Sequence, residues 1–349
     1  MSSPTFHFAD RPIGPAHPPF IIAELSGNHN GSLERGLAII DAMAAAGAHA
    51  IKLQTYTAQT MTLRGAHRIE DENSLWYGRE LFELYEQAYT PWEWHAPLFE
   101  RAKHHGMLAF SSPFDETAVD FLESLDVPAY KIASFENTDW PLLRRVAATG
   151  KPVIMSTGAS TLAEVAEAVA ILRAGGCREL TLLKCTSTYP ASPENTNLRT
   201  LPHLAQLFSE GLVGLSDHTA GHGAAVAAVA LGACVIEKHV TLRRADGGVD
   251  AAFSLEPAEV AALVTETHRA WLALGQIQYG VQPAEAKSRL FKRSLYVAQD
   301  IAAGEAFTPL NVRVVRPGDG LAPRYYDVVL GKTARQALRA GTPLTWEAL

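Results

Sequence analysis

Hydrophobic and polar positions along most of the chain follow two periods that take turns. Short apolar runs of strand character are "FIIAEL" (from Phe20), "AIKLQTY" (Ala50), "MLAFSSP" (Met107), "AYKIAS" (Ala129), "PVIMST" (Pro152), "LTLLKCT" (Leu180), "LVGLSDHT" (Leu212) and "CVIEKHVT" (Cys234). Between them lie stretches such as "SLERGLAIIDAMAAAG" and "TLAEVAEAVAILRAGG", whose apolar residues recur every three to four positions, as on one face of a helix. A last helical stretch runs from Ala258 to Gly275. Eight strands, each followed by a helix, predict an α/β fold, a (β/α)8 TIM barrel. A doubly wound open sheet is the rival, but it would carry a glycine-rich phosphate turn after its first strand, and "GNHNG" is not GxGxxG.

Two stretches depart from the alternation. The connection from Thr57 to about Gly106 is long, and its middle, "ENSLWYGRELFELYEQAYTPWEW", is rich in aromatics, which suits a lid or substrate loop. Around Gln276 to Arg289 the pattern becomes polar, and beyond it short β-like pieces are separated by Gly, Pro and Asp turns. The expected organisation is a barrel over 1–280, a linker over 281–290 and a small mostly-β domain over 291–349.

Each strand ends with polar residues. Because side chains two apart share a face of a strand, Glu24 and Ser26 lie together, as do Lys52 and Gln54, Ser112 and Phe114, Ser216 and His218, and Glu237 and His239. The sixth run continues through Cys185 to Ser187 and Tyr189, and the fifth ends at Ser156. Lys131 and Ser134 differ in parity, so one of them is expected to lie beyond its regular strand. The active site of a barrel enzyme lies at these C-terminal strand ends. Buried charge is costly without partners, so polar groups at all eight ends are expected to share one pocket.

The residue types suggest its chemistry. Two lysines among several serines make a site for phosphate or carboxylate. His218 and His239 on adjacent strands suit an exchangeable divalent metal with open positions, with Glu237 and Glu24 near enough to act directly or through water. Acid–base catalysis or a core role remain the alternatives for the pair. An anion site, a Lewis acid and carboxylates together point to carbon–carbon bond formation between a phosphorylated enol and a carbonyl. Two other classes compete. One is a Schiff-base aldolase using Lys52, Lys131 or Lys184; the other is a scaffold whose C-terminal module binds carbohydrate or a partner.

Charge and cysteines narrow the partners. The 349 residues carry a formal net charge of −7, which argues against nucleic acid or an anionic membrane. Cys177, Cys185 and Cys234 lack metal or disulfide spacing, and Cys185 and Cys234 read as small buried hydrophobes. The first residues lack a basic segment followed by an apolar one, and Ala224 to Gly232 is too short to span a bilayer. A cytoplasmic location is expected.

The motifs "IIAELSGNHNGSLE", "IKLQTY", "SSPFD", "AYKIAS", "STG", "CTSTYP", "GLSDHT", "IEKHVTL" and "GGVDAAFSLEP", in this order, resemble the sialic acid synthase family of phosphoenolpyruvate-dependent sugar-acid synthases. The segments "DIAAGEAFT", "RPGDGLAP" and "GTPLTW" look like the antifreeze-like (SAF) domain that ends its members. Within the family, "SGNHNGSLERG", "QTYTAQTMTL" and the aromatic insertion are similar to the branch that acts on 2,4-diacetamido-2,4,6-trideoxy-L-altrose. The same chemistry on N-acetylmannosamine or a legionaminate precursor is the alternative. Aromatic walls such as Trp76 and Tyr77 would suit the deoxy, diacetamido sugar.

The resemblance implies residue roles. His218 and His239 would hold a divalent ion (Mn²⁺, Mg²⁺ or Co²⁺), with Glu237 and Asp250 contacting its waters. Lys131, Ser134, Ser156 and Ser216 would bind the phosphate of phosphoenolpyruvate, with Ser187 nearby, while Lys52 and Ser112 would take its carboxylate. Glu24 and Gln54 would face the sugar, and Tyr189 and Phe114 would line the pocket. Arg316 would reach the sugar's acetamido group from the SAF domain of a partner chain, which implies a domain-swapped homodimer. In the implied reaction C3 of the enol attacks the open-chain aldehyde and water adds at C2, oriented by Glu24 or Glu237. Phosphate then leaves with C–O cleavage.

Overall fold

All eight apolar runs form strands, preceded by a hairpin that the pattern did not suggest. In chain order they are β1 (Phe6–Phe8), β2 (Arg11–Ile13), β3 (Phe20–Glu24), β4 (Ala50–Thr55), β5 (Leu108–Pro113), β6 (Tyr130–Ile132), β7 (Val153–Ser156), β8 (Leu180–Cys185), β9 (Leu212–Asp217) and β10 (Val235–His239). In this computed structural model, which describes residues 4–72 and 74–349, β3 to β10 pair in parallel and in sequence. The barrel closes where β10 meets β3, with Val235 opposite Phe20 and His239 opposite Glu24.

A helix follows each barrel strand: Leu33–Ala45, His95–His104, Glu116–Ser124, Trp140–Ala147, Leu162–Ala174, Thr200–Leu207, Gly223–Ala230 and Pro257–Leu274. Four of them start where a side chain caps the first turn. Ser32, Asp115, Asp139 and Thr161 each accept a backbone N–H that the helix would otherwise leave unbonded. An Asp115→Ala variant is accordingly expected to lose about 1 kcal/mol of stability in urea unfolding.

Strand alternation fills the barrel. Ala50, Ile154 and Val235 stand two residues before the polar Lys52, Ser156 and Glu237, and they join Phe20, Ile22 and Phe110 in one buried cluster. Packing is tight at Gly214, where an added Cβ would come within 2.3 Å of the Val235 carbonyl and 2.6 Å of Leu183. The β1–β2 hairpin joins the same cluster through Phe8 and Ile13, and Phe8 packs edge-on at 5.7 Å from Phe20. It therefore closes the end of the barrel where the strands begin.

The long Thr57–Gly106 connection contains two short helices, Ala58–Met61 and Leu81–Ala88, ahead of the helix at His95. Between them the chain doubles back: the Ile69 N–H donates to the Arg79 carbonyl at 2.9 Å, and the Gly78 N–H donates to the Ile69 carbonyl at 2.8 Å.

The chain divides into two compact units after Gly275, the second spanning Gln276–Leu349. That second unit holds one antiparallel pair, β11 (Ser294–Val297) with β12 (Val312–Val315), and isolated bridges such as Ile301 to Leu338. Its core is Leu295, Val297, Ile301, Phe307, Val312 and Leu344. No helix among the described residues is long and apolar enough to cross a membrane.

Candidate active site

Strand geometry delivers the polar side chains to the C-terminal mouth of the barrel, where they surround a cavity of about 460 Å³. Two buried lysines form its floor on either side of one carboxylate. Lys52 pairs with Glu24 and lies 3.5 Å from Glu237, while Lys131 lies 3.8 Å from the other Glu237 oxygen. Hydroxyls complete each cation's surroundings: Lys52 donates to Ser112 at 3.2 Å and Lys131 to Ser156 at 2.7 Å. Ser216 donates to Glu237 at 3.0 Å.

This web separates the titration of the two carboxylates. Burial pushes Glu24 up to about 7, with Lys52 opposing. Burial also raises Glu237, but Lys131 and Lys52 together outweigh it and hold the carboxyl below its ordinary value. Glu237 is thus the anion that both lysines share, and Glu24 the group able to carry a proton near neutral pH. Lys52 is raised because Glu237 and Glu24 overcome its burial, whereas burial dominates at Lys131 and lowers it.

Ser134 and Gly158 form a second polar corner, in which the Gly158 N–H donates to Ser134 Oγ at 3.2 Å. An added Cβ on Gly158 would fall 2.1 Å from Ser187 Oγ and 2.7 Å from Ser134 Oγ, so only glycine lets the backbone approach these hydroxyls.

His218 and His239 face each other across the mouth, with ring centroids 5.2 Å apart. His218 Nδ1 donates to the Thr186 carbonyl at 3.0 Å, which leaves Nε2 as the nitrogen open to a ligand. Burial, and next to it the neighbouring His218, holds His239 well below the usual imidazole range, so it is neutral. The buried His239 Nδ1 has no hydrogen-bond partner among the described residues and lies 3.6 Å from Asp250. Burial lowers His218, but Cys185 and the Thr186 carbonyl outweigh it and raise this imidazole; once it is deprotonated, two imidazole nitrogens beside a carboxylate fit a divalent cation that keeps positions open for water or substrate. Among the described residues no three His, Cys, Asp or Glu side chains group closely enough to hold a metal by themselves. Tyr189 packs 4.5 Å from His218 and Phe253 5.0 Å from His239, giving the pair an apolar surround.

A clamp behind the strands fixes this pair. Lys238, on the opposite face of β10 from Glu237 and His239, donates to Asp217 at 2.9 Å and to the Thr219 and Gly221 carbonyls at 2.6 and 2.8 Å. All three ammonium protons are used by the segment around His218. A Lys238→Met variant leaves Asp217 buried without its cation. It is expected to lose about 3–5 kcal/mol of stability, read in urea unfolding.

Residues 39–279 match the NeuB family and residues 292–349 the SAF domain. The chain belongs to the NeuB family. Pseudaminic acid synthase of Campylobacter jejuni subsp. jejuni serotype O:2 is 46% identical over 328 residues, covering 93% of this chain and 95% of that protein. Pseudaminic acid synthase of Helicobacter pylori is 42% identical over 333 residues, covering 94% and 97%. The solved N-acetylneuraminic acid synthetase of Leptospira borgpetersenii serovar Hardjo-bovis is 34% identical with a TM-score of 0.73, covering 82% of this chain and 95% of that one.

In this NeuB-family barrel, twelve of the residues to which the resemblance gives roles line the cavity: Lys52, Gln54, Phe114, Lys131, Ser134, Ser156, Tyr189, Ser216, His218, Glu237, His239 and Asp250. Glu24 and Ser112 lie beneath it against Lys52, and Ser187 sits beside Ser134 and Cys185. Arg316 is exposed in the second unit and is not among the lining residues. Ser134 lies beyond β6, in the short turn Ser134–Glu136, which explains its parity against Lys131.

Three readings change. Cys185 is buried but lines the cavity, 3.9 Å from His218 Nδ1, so it is more than a core hydrophobe. Tyr77 is exposed and lies outside the lining; Trp76 alone of that pair reaches it. Lys184 alternates with Cys185 on β8 and bonds Thr186 on the outer face, so it is no candidate for a Schiff base in this cavity.

Glu136 was missed. Its carboxyl lines the cavity, Oε2 has no hydrogen-bond partner among the described residues, and burial raises it to about 7. Because it stands in an irregular turn, strand parity carries no signal for it.

Proposed function

We propose that this chain is a pseudaminic acid synthase, condensing phosphoenolpyruvate and water with 2,4-diacetamido-2,4,6-trideoxy-L-altrose to give pseudaminic acid and phosphate. The observation that carries the reading is the floor of two buried lysines flanking Glu237, each with its own serine hydroxyl. Phosphoenolpyruvate is a small molecule with an anion at each end, and few metabolites match two such wells. The 42–46% identity to pseudaminic acid synthases supports the choice of sugar.

Lys52 and Ser112 hold the carboxylate; Lys131, Ser134, Ser156 and Ser216 hold the phosphate, with Ser187 at the edge of that corner. C3 of the enol forms the new bond to the acceptor's aldehyde carbon, and the carbonyl oxygen takes up a proton. Water adds at C2, losing a proton to a carboxylate, and phosphate departs with its bridging oxygen. Glu237, anionic under the two lysines, suits the acceptance of that proton, and Glu24 suits the return of one. His218 and His239, with Asp250 alongside, would hold Mn²⁺, Mg²⁺ or Co²⁺, which when bound supplies a Lewis acid for the acceptor's aldehyde.

The same reading makes the protein a cytoplasmic homodimer in which Arg316 of one chain serves its partner's sugar. Charge supports it. Residues 276–349 carry ten Lys and Arg against six Asp and Glu, a net of +4, so residues 1–275 carry −11 of the total −7. None of those ten cations pairs with a carboxylate among the described residues. The segment leading into them leaves Ile277 91% and Tyr279 89% exposed.

The reading is tested by mixing enzyme, phosphoenolpyruvate and the altrose, and counting phosphate against acceptor consumed. One phosphate per acceptor, with neither substrate releasing phosphate alone, is expected. Phosphate release without acceptor, or a Schiff base trapped by borohydride, would replace the synthase with another chemistry.

A further inference from the structure

The cavity has an unevenly distributed chemistry. Its floor is charged, while one wall, from the connection between β4 and β5, is largely apolar: Met61, Ile69, Trp76, Leu81, Leu84 and Tyr85, with Thr60 beside them. We infer that this wall is the acceptor-selecting element, receiving the deoxy methyl group and an acetamido methyl of the sugar and disfavouring acceptors that place hydroxyls there. The inference rests on the proposed function and adds to it the residues that choose the acceptor.

Barrel geometry supports the assignment. The two anionic ends of phosphoenolpyruvate occupy the lysines at the strand ends, so the acceptor's aldehyde must meet C3 just above them. The remaining carbons of the acceptor then extend outward among the loops, where this wall stands. A hydroxyl pressed against Met61, Ile69, Leu81, Leu84 or the Trp76 ring would lose water without gaining a hydrogen bond.

The wall is also held in place. Ile69 is pinned through both backbone groups, to Arg79 and Gly78. The Arg64 guanidinium lies 4.1 Å over the Phe82 ring, packing one end of the segment against the Leu81–Ala88 helix. The Trp76 indole N–H donates to the Val249 carbonyl at 3.1 Å, and its ring lies 6.0 Å from Tyr189. Val249 precedes Asp250, which accepts a hydrogen bond from Ser26 and faces His239. Trp76 therefore ties the selecting wall to the loop that carries Asp250, and it acts as a specificity and positioning residue rather than a catalytic one. A wall fixed at both ends presents its apolar surface without reorganising when the sugar arrives.

Trp76→Ala and Ile69→Ser are to be assayed with 2,4-diacetamido-2,4,6-trideoxy-L-altrose and with N-acetylmannosamine, measuring kcat/KM for each acceptor and KM for phosphoenolpyruvate. Both variants are expected to lower the ratio of the two kcat/KM values at least tenfold, on the scale of apolar discrimination. KM for phosphoenolpyruvate should stay within about twofold, because neither residue touches the lysine floor. Trp76→Phe keeps the ring but not the N–H; it should preserve most of the ratio while lowering kcat for both acceptors. An unchanged ratio in Trp76→Ala and Ile69→Ser, or an equal fall for both sugars, overturns the inference. A wild-type enzyme inactive on both acceptors instead overturns the proposed function, so the two failures are separable.

Discussion

In a His239→Ala variant, phosphate release from phosphoenolpyruvate in the presence of acceptor is expected to fall about a thousandfold, the scale of several kcal/mol of Lewis-acid stabilisation. The fold should survive. His239 is at the end of β10, between Phe253 and Tyr189, and its Nδ1 has no hydrogen-bond partner among the described residues to leave behind. A cooperative thermal transition close to that of the parent would confirm this. Calorimetric titration with Mn²⁺ gives a readout independent of turnover: binding by the parent and none by the variant is the expected pair. Undiminished turnover in His239→Ala would remove the metal role from this histidine.

Lys131→Met is expected to raise KM for phosphoenolpyruvate about a hundredfold, the scale of losing one partner of a buried charge pair. The lysine donates to Ser156 and to the Ile132 carbonyl. Stability should fall as well, because the buried Glu237 is left to Lys52, which it shares with Glu24. A variant that still unfolds cooperatively, yet binds phosphoenolpyruvate poorly, would show that the lysine serves the substrate. A KM within threefold of the parent would place the phosphate elsewhere.

The barrel was legible because its strands are short, buried and bounded by helices of clear period, and because strand parity is strict. Glu237 and His239 had to share a face, and Lys238 had to point away; the cavity and the clamp behind it follow from that alternation. Parity also required that one of Lys131 and Ser134 lie past the strand, and the structure shows that it is Ser134. Where regular structure ended, the signal ended too. Glu136 stands in a turn with no fixed period, and Trp76 and Tyr77 part company because neighbours on an irregular segment need not face the same way. The β1–β2 hairpin escaped notice because three-residue strands offer too few alternations to read. Its Phe8, nonetheless, closes the barrel against Phe20. Cys185 was placed in the core by residue type, whereas its parity with Leu183 and its position at the end of β8 bring it to the cavity.

One measurement tests the account most directly: phosphate release from phosphoenolpyruvate with Mn²⁺, run against the diacetamido altrose, N-acetylmannosamine and the legionaminate precursor, each with and without EDTA. The account predicts release with the altrose far above the other two sugars, abolished by EDTA and restored by added Mn²⁺. Release that ignores EDTA, or that favours N-acetylmannosamine, would contradict it.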